Sequence, residues 1–336
     1  MNRSFARRAL RRCVFLLCAL CTPLLLIWPT PAMEAVREAL RLCGETIVPS
    51  LFPFLVLSAL LTALAPMAFL QKLFAPPMGA LFGLGGAGAA VLLLGFTGGY
   101  PVGVRTAAAL YQKGQLSRAD AEHLLSFCNN SGPGFLLGVV GVGVFHDSAA
   151  GLMLYLIHIS AALAVGFVFR LTSRKHAIQR AGAHFSASGV QSSSLPQIFS
   201  QAVTSSLSAV LNICAFVLFF MIALRLLAFT GALHLMSAAI SFLLSPFGMT
   251  EQLSTALIAG ALEVSTGSAC LQGVSLTPLT AALASFLLGW GGLSVHCQSM
   301  LFLLETDLSA RPYLLGKLLQ GVFSAVLAFA FFSLRM

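Results

Sequence analysis

Four short stretches of the chain place polar side chains beside residues that break helices. The first is Thr97-Gly98-Gly99-Tyr100-Pro101-Val102-Gly103, with Arg105 two residues beyond it. The second is Ser126-Phe127-Cys128-Asn129-Asn130-Ser131-Gly132-Pro133-Gly134, and the third is Glu263-Val264-Ser265-Thr266-Gly267. The fourth runs through Gly291, Gly292, Ser294, His296 and Gln298. Thr97, Tyr100, Asn129, Asn130, Ser131, Ser265, Thr266, Ser294 and Gln298 offer hydrogen-bond donors and acceptors to a polar solute, while Gly98, Gly99 and Gly267 let backbone come close to it. The same residue types also serve as packing and hydrogen-bonding groups between membrane helices, so both readings stand.

Three ionisable residues sharpen the choice. Glu263 follows an uncharged run, and a carboxylate at membrane depth is expensive unless it is paired, protonated or bound to an ion. It either couples a proton or cation, or forms a structural ion pair with Arg105. Arg105 meets that carboxylate or an anionic group of the solute. His296 is either a proton relay near neutral pH or a satisfied core histidine.

The elements that must hold these residues follow from composition. Of 336 residues, 58% are hydrophobic and only 9% charged; soluble domains carry about a quarter charged. Uncharged runs at residues 73–104, 124–145, 148–169 and 318–334 approach or exceed the ~20 residues that cross a hydrocarbon core as helix. The net charge of +9 comes from cations near the ends of apolar runs, a pattern that reports orientation and not nucleic-acid binding. The eight cysteines, including the Cys18/Cys21 pair, read as packed thiols without metal or redox partners. Five N-terminal arginines before a Leu-rich stretch resemble a signal peptide, and the multi-span body that follows favours a retained first span. No nucleotide-binding, zinc-protease or dinucleotide fingerprint appears, and no cofactor or metal is implied.

Basic segments stay in the cytoplasm, which places the N-terminus and the Ser-rich stretch 170–196 inside. Span one then covers about 14–31, Met33–Gly44 is an outer amphipathic helix, and span two covers about 46–66. Residues 73–104 end in a Gly/Pro-rich break, and the arm from Val102 to Gln112 is too short to cross, so a re-entrant hairpin is expected. A helix capped at Ser117 and a further span complete the first unit. A second unit follows from about 197, with a second hairpin tip at Glu263–Gly267 and an interrupted helix at 276–304. The two units register: Asn129 follows Gly95 by 34 residues, Ser294 follows Gly260 by 34, and the copies lie 165 apart (260 minus 95). The first unit begins outside and the second inside. The expected fold is therefore an all-α polytopic membrane protein of two inverted repeats, each with a re-entrant hairpin and a discontinuous transmembrane helix. The expected division is 1–44 (N-terminal span and amphipathic helix), 45–170 (first repeat), 171–196 (cytoplasmic linker) and 197–336 (second repeat).

Two blocks carry a family resemblance. Gly98 to Gly103 with Leu125 to Pro133, and Leu262-Glu263 with Gly289 to Gln298 and Glu305-Thr306-Asp307, resemble the sporulation integral membrane protein YlbJ family. The resemblance covers about Leu40 to Phe332. That family contains the nucleoside-recognition, or Gate, domain, which is similar to pieces of concentrative nucleoside transporters and of the iron permease FeoB. The resemblance implies hairpin-and-broken-helix architecture, a multi-pass place in the cell membrane and a role in forming heat-resistant endospores. The expected function is a carrier for a small polar solute, nucleoside-like or other, with a coupling proton or cation. Its partners are the lipid bilayer and, as alternatives, a second copy or spore membrane proteins. The rival is a non-transporting scaffold for spore-envelope assembly; a membrane enzyme built on Glu263 and His296 lacks any nucleophile arrangement.

Overall fold

The computed structural model describes residues 25–64, 67–172 and 194–335, together with 19, 22 and 23. The N-terminal arginines, part of span one, Cys13, Cys18, Cys21 and the stretch 173–193 lie outside the described residues. The described elements are all helical. Helices α1 (Pro29–Leu42) and α2 (Val48–Leu64) are joined by a π turn, Cys43–Ile47. Next come α3 (Met67–Phe82), α4 (Gly86–Gly98), α5 (Val102–Gln112), α6 (Arg118–Leu125), a π-helical α7 (Gly134–Val144) and α8 (Ser148–Thr172). The second half comprises α9 (Leu195–Phe229), α10 (Ala232–Leu244), α11 (Glu251–Leu262), α12 (Val264–Ala269), α13 (Pro278–Trp290), α14 (Gly292–Leu304) and α15 (Arg311–Arg335).

Among the described residues, five helices are long and apolar enough to cross a membrane: Pro29–Leu61, Ser148–Thr172, Leu195–Phe229, Pro278–Leu304 and Arg311–Arg335. Two further pairs are bent too sharply to be straight spans, Lys72–Phe82 with Gly86–Gly98 at 94° and Ala232–Phe247 with Glu251–Leu262 at 117°. The element order of the first half recurs in the second: a long helix (α2, α9), a helix set at a sharp angle to the next (α3, α10), a hairpin (α4/α5, α11/α12), an interrupted helix (α6/α7, α13/α14) and a final span (α8, α15). The second half thus repeats the element order of the first, the arrangement of two inverted repeats.

Local chemistry sets the helix starts. Ser117 accepts a hydrogen bond from Asp120 N–H, the cap expected from the sequence. Ser194 with Gln197 and Thr277 with Thr280 form capping boxes, each with a proline in the first turn.

Two expectations need correction. The amphipathic segment 33–44 is not a separate outer helix: α1 continues into α2 as one helix, because Gly44 is held helical within the π turn. Its small face, Ala35, Ala39, Cys43 and Ile47, is buried at i, i+4 spacing, α1 packs against α9, and Glu38 reaches Arg225 of α9 at 2.8 Å. The first hairpin is also shorter than residues 73–104. The chain turns at 83–85, so the arms are α4 and α5 and the tip is Gly99-Tyr100-Pro101. Gly99 adopts φ 71°, a conformation costly for any side chain with a Cβ.

Glycines let the interrupted helix enter the hairpin. A Cβ on Gly95 of α4 or Gly103 of α5 would collide with the Cys128 carbonyl oxygen, and one on Gly316 of α15 would collide with that of Ser126. The residues between α6 and α7 are thus clasped by hairpin one on one side and α15 on the other. In unit two, a Cβ on Gly292 would lie 2.9 Å from Gly260 O and 3.2 Å from Glu263 Cα, so the second break sits on the second hairpin. At the α5–α6 end, Tyr111 and Arg118 bind Asp307 at 2.7 and 3.3 Å, and Glu122 accepts from Ser309 N–H at 2.9 Å. The Tyr111 hydroxyl, with Arg118 beside it, holds the Asp307 carboxyl below the usual carboxylate range.

Gly103→Ala is expected to destabilise the protein by about 2 kcal/mol or more through overpacking against backbone, whereas Gly44→Ala, where an added Cβ meets nothing within 4 Å, leaves stability unchanged or raises it. Thermal unfolding of the two detergent-purified variants decides it; equal melting temperatures would refute the clasp.

Candidate functional site

The two hairpin turns and the two breaks converge. Gly99 backs onto the break of unit one, where an added Cβ would stand 3.1 Å from Gly132 N, and Gly291 of the other break faces the Tyr100 ring, its Cβ position 3.5 Å from Cζ. The Tyr100 hydroxyl donates to the Leu288 carbonyl of α13. Hairpin one is thereby bonded across the repeat interface.

Between these segments lies a cavity of ≈ 450 Å³, closed by α2 and α9. Of the residues singled out in the sequence, Thr97, Gly98, Gly99, Tyr100, Arg105, Ser131, Glu263, Ser265, Ser294 and Gln298 line it. Asn129, Asn130, Thr266, Gly267 and His296 do not; each is engaged behind the wall. Asn129 Nδ2 donates to Ser299 Oγ at 3.0 Å and to the Tyr313 hydroxyl at 3.4 Å. Asn130 Nδ2 donates to Phe127 O at 2.8 Å, and Asn130 Oδ1 accepts from Gln320 at 2.7 Å. Gly267 is not at the hairpin tip: the turn is at Glu263, and Gly267 lies inside α12 with its backbone against Gly260. His296 Nδ1 meets the Tyr313 hydroxyl at 2.9 Å, and its ring packs edge-on against Trp290.

Glu263 is the N-cap of α12. Its carboxylate accepts from Ser265 N–H at 3.0 Å, Thr266 N–H at 2.7 Å and the Thr266 hydroxyl at 2.9 Å. The residue is 2% exposed and makes no ion pair among the described residues. Of the two alternatives for Glu263, the ion pair with Arg105 is not formed, because the carboxylate oxygens are taken up by the helix end they terminate. The Arg105 guanidinium, exposed within the cavity wall, makes neither a hydrogen bond nor an ion pair among the described residues.

Sequence reading missed two sets of polar residues. On α15, Tyr313, Lys317, Gln320 and Ser324 are buried at spacings of 4, 3 and 4, one helical face. Taking 318–334 as an uncharged run stopped one residue past Lys317, and the face was not traced. Lys317 Nζ donates to Asn129 O at 2.8 Å and to Gln320 Oε1 at 3.0 Å. His158 of α8, also passed over, accepts from Ser131 N–H at 3.1 Å. On α9, Ser205, Ser208 and Asn212 line the cavity, and their 3, 4 spacing was the available signal.

The family model described as nucleoside recognition, Gate, matches residues 45–175. The sporulation integral membrane protein YlbJ of Bacillus subtilis is 34% identical over 313 residues, which cover 89% of this chain and 77% of that protein. Among solved structures, a doubly substituted CNTnw in an outward-facing state is similar in fold, with a TM-score of 0.55 and 16% identity over 99% of this chain and 87% of that one.

The Asn130–Gln320 bond links the first break to α15, so Asn130→Ala and Gln320→Ala are expected to be non-additive, with a coupling of about 1 kcal/mol in a double-mutant cycle of unfolding. Additive losses would show that the bond carries no stability.

Proposed function

The chain belongs to the YlbJ family of sporulation integral membrane proteins, and on that premise we propose that it is a carrier for a small polar solute bearing an anionic group, needed for forming heat-resistant endospores. The observation that carries this reading is the ≈ 450 Å³ cavity at the meeting of both repeats, with Arg105 free in its wall. Small-molecule sites occupy about 300–1,000 Å³ and combine apolar walls with a few placed polar groups. Here Phe54, Phe216 and Phe302 supply apolar faces, and Asn212, Ser265 and Gln298 supply hydrogen-bonding groups.

Arg105 decides the class of solute. A guanidinium at membrane depth needs water or an anion opposite it, and Glu263 is already used by α12. The planar donor fork matches a carboxylate or phosphate. A second cavity of ≈ 390 Å³ shares Leu55, Gly98, Arg105 and Ser205 as walls and extends along α9 to Gln201 and Ile198, which supports a route from the site toward the α9 N-terminus. Under the proposed orientation that end is cytoplasmic. Hairpins that move against α2 and α9 would open the site to each face in turn, as expected of inverted repeats.

The scaffold reading draws on one observation: Asn129 and Asn130 are bonded to α15 and α14 as interhelical glue. Counterflow in proteoliposomes separates the two. Uridine against uridine 5′-monophosphate, and succinamide against succinate, are matched pairs differing in charge. The carrier reading expects saturable counterflow of a charged member, falling roughly tenfold or more in Arg105→Gln through loss of a charge-assisted hydrogen bond. Absence of all counterflow would favour the scaffold, and equal handling of neutral and charged members would remove Arg105 from recognition.

A further inference from the structure

Lys317 is 1% exposed in the middle of the helix packing, six residues into α15. No carboxylate pairs with it among the described residues, and Glu263, the buried carboxylate, is committed to α12. The groups around the ammonium are neutral or dipolar. From the first break come the Asn129 carbonyl and the Cys128 thiol, from hairpin one the Tyr100 ring, whose centroid is 5.0 Å from Nζ. From α8 comes His158, which accepts at Nε2 from Ser131 N–H and is therefore an uncharged imidazole. From α14 comes His296, bonded to Tyr313 of α15, and from α15 itself Gln320. An ammonium without a counter-ion in such surroundings is costly, and what offsets the cost is oxygen dipoles at the point where a helix has come unwound.

The ammonium also gives the network its direction. It can only donate, so Gln320 must turn Oε1 toward it. That turns Gln320 Nε2 toward Asn130 Oδ1 at 2.7 Å and His158 Nε2 at 3.2 Å. Asn130 is then left with its own amide directed at Phe127 O. Gln320 and Asn130 thus take their orientation from a charge on α15.

Broken-helix carriers commonly hold an exchangeable Na⁺ or proton at unwound backbone carbonyls and half-helix C-terminal ends. The Asn129 carbonyl, three residues past the Ser126 C-cap of α6, is such a place, and here a side chain of the same chain reaches it. We propose that Lys317 is a built-in cation: its ammonium occupies the ion position of the first break and orders that break against hairpin one, α8 and α15 without an exchangeable metal ion. That solute carriage is likewise independent of a metal cation rests on the carrier reading above; the structural role does not.

The test uses the full chain in detergent and in liposomes, with thermal unfolding followed by tryptophan fluorescence in sodium, methylammonium or N-methylglucamine at matched ionic strength. The wild type is expected to melt at the same temperature in all three. Lys317→Ala is expected to melt lower by about 5 °C or more in N-methylglucamine and to recover when methylammonium or sodium can enter the vacated space. Lys317→Met, which fills the space without charge, is expected to remain low in every salt. The proposal is overturned if wild-type stability requires sodium, a measurement that needs no variant, if Lys317→Met matches the wild type, or if Lys317→Ala falls and no small cation restores it. Sodium-dependent counterflow in a wild type whose melting ignores sodium would overturn only the extension to carriage, and lack of any counterflow would count against the carrier reading while leaving the melting result decisive for Lys317.

Discussion

A peptide group that leaves the helix inside an apolar layer has to find its hydrogen bonds elsewhere, and the arrangement of this protein follows from how that is met at its interruptions. At the first break, residues 126–133, α15 brings an ammonium and an amide to the Asn129 carbonyl and the Asn130 side chain, and α8 brings His158 to the Ser131 N–H. These bonds are possible only because glycines let the backbones come close. Gly95, Gly103 and Gly316 open a slot that any Cβ would close. Association of helices in lipid gains little from hydrophobic burial, so close packing and interhelical hydrogen bonds must supply the cohesion.

The two repeats meet the same constraint by different chemistry. In the first, the break is braced by side chains from other helices. In the second, the hairpin supplies its own acceptor: Glu263 leaves the helix for one residue, at φ −147° and ψ 118°, and caps the helix that follows. The second break is a pair of left-handed glycines, Gly291 and Gly292, resting on that hairpin. The symmetry lies in the order and contact of elements. Charge is distributed unequally: the buried lysine and the buried carboxylate both belong to the second repeat, and the lysine reaches across to the first break.

That inequality shapes the cavity. Because Glu263 spends its oxygens on α12, it does not neutralise Arg105, and because Lys317 spends its ammonium on the break, it stays behind the wall. Among the described residues, the free charge presented by the site is thus Arg105, set among hydroxyls, amides and phenyl rings. Helices α2 and α9, which precede the hairpins in their respective repeats, close the other side.

Much of this was legible in the chain itself. Composition and uncharged runs identified the solvent as lipid, Gly/Pro-rich stretches located the hairpins and breaks, and the equal offsets from Gly95 to Asn129 and from Gly260 to Ser294 marked the repeat, because helix-breaking residues act locally and need no partner to be recognised. What only the tertiary structure decided was which polar groups meet. Asn130 and Ser131 are neighbours with the same sequence-level promise, yet one is held by Gln320, 190 residues away, and the other lines the cavity. Whether Glu263 pairs with Arg105 was open in the sequence, and the backbone N–H groups of α12 at the carboxylate decide it. Lys317 sits at the edge of an apolar run, and its burial depends on three other elements arriving at one face of α15. Pairings across such sequence distances follow from the packing of whole helices, and sequence periodicity states which face is polar without stating what will stand opposite it.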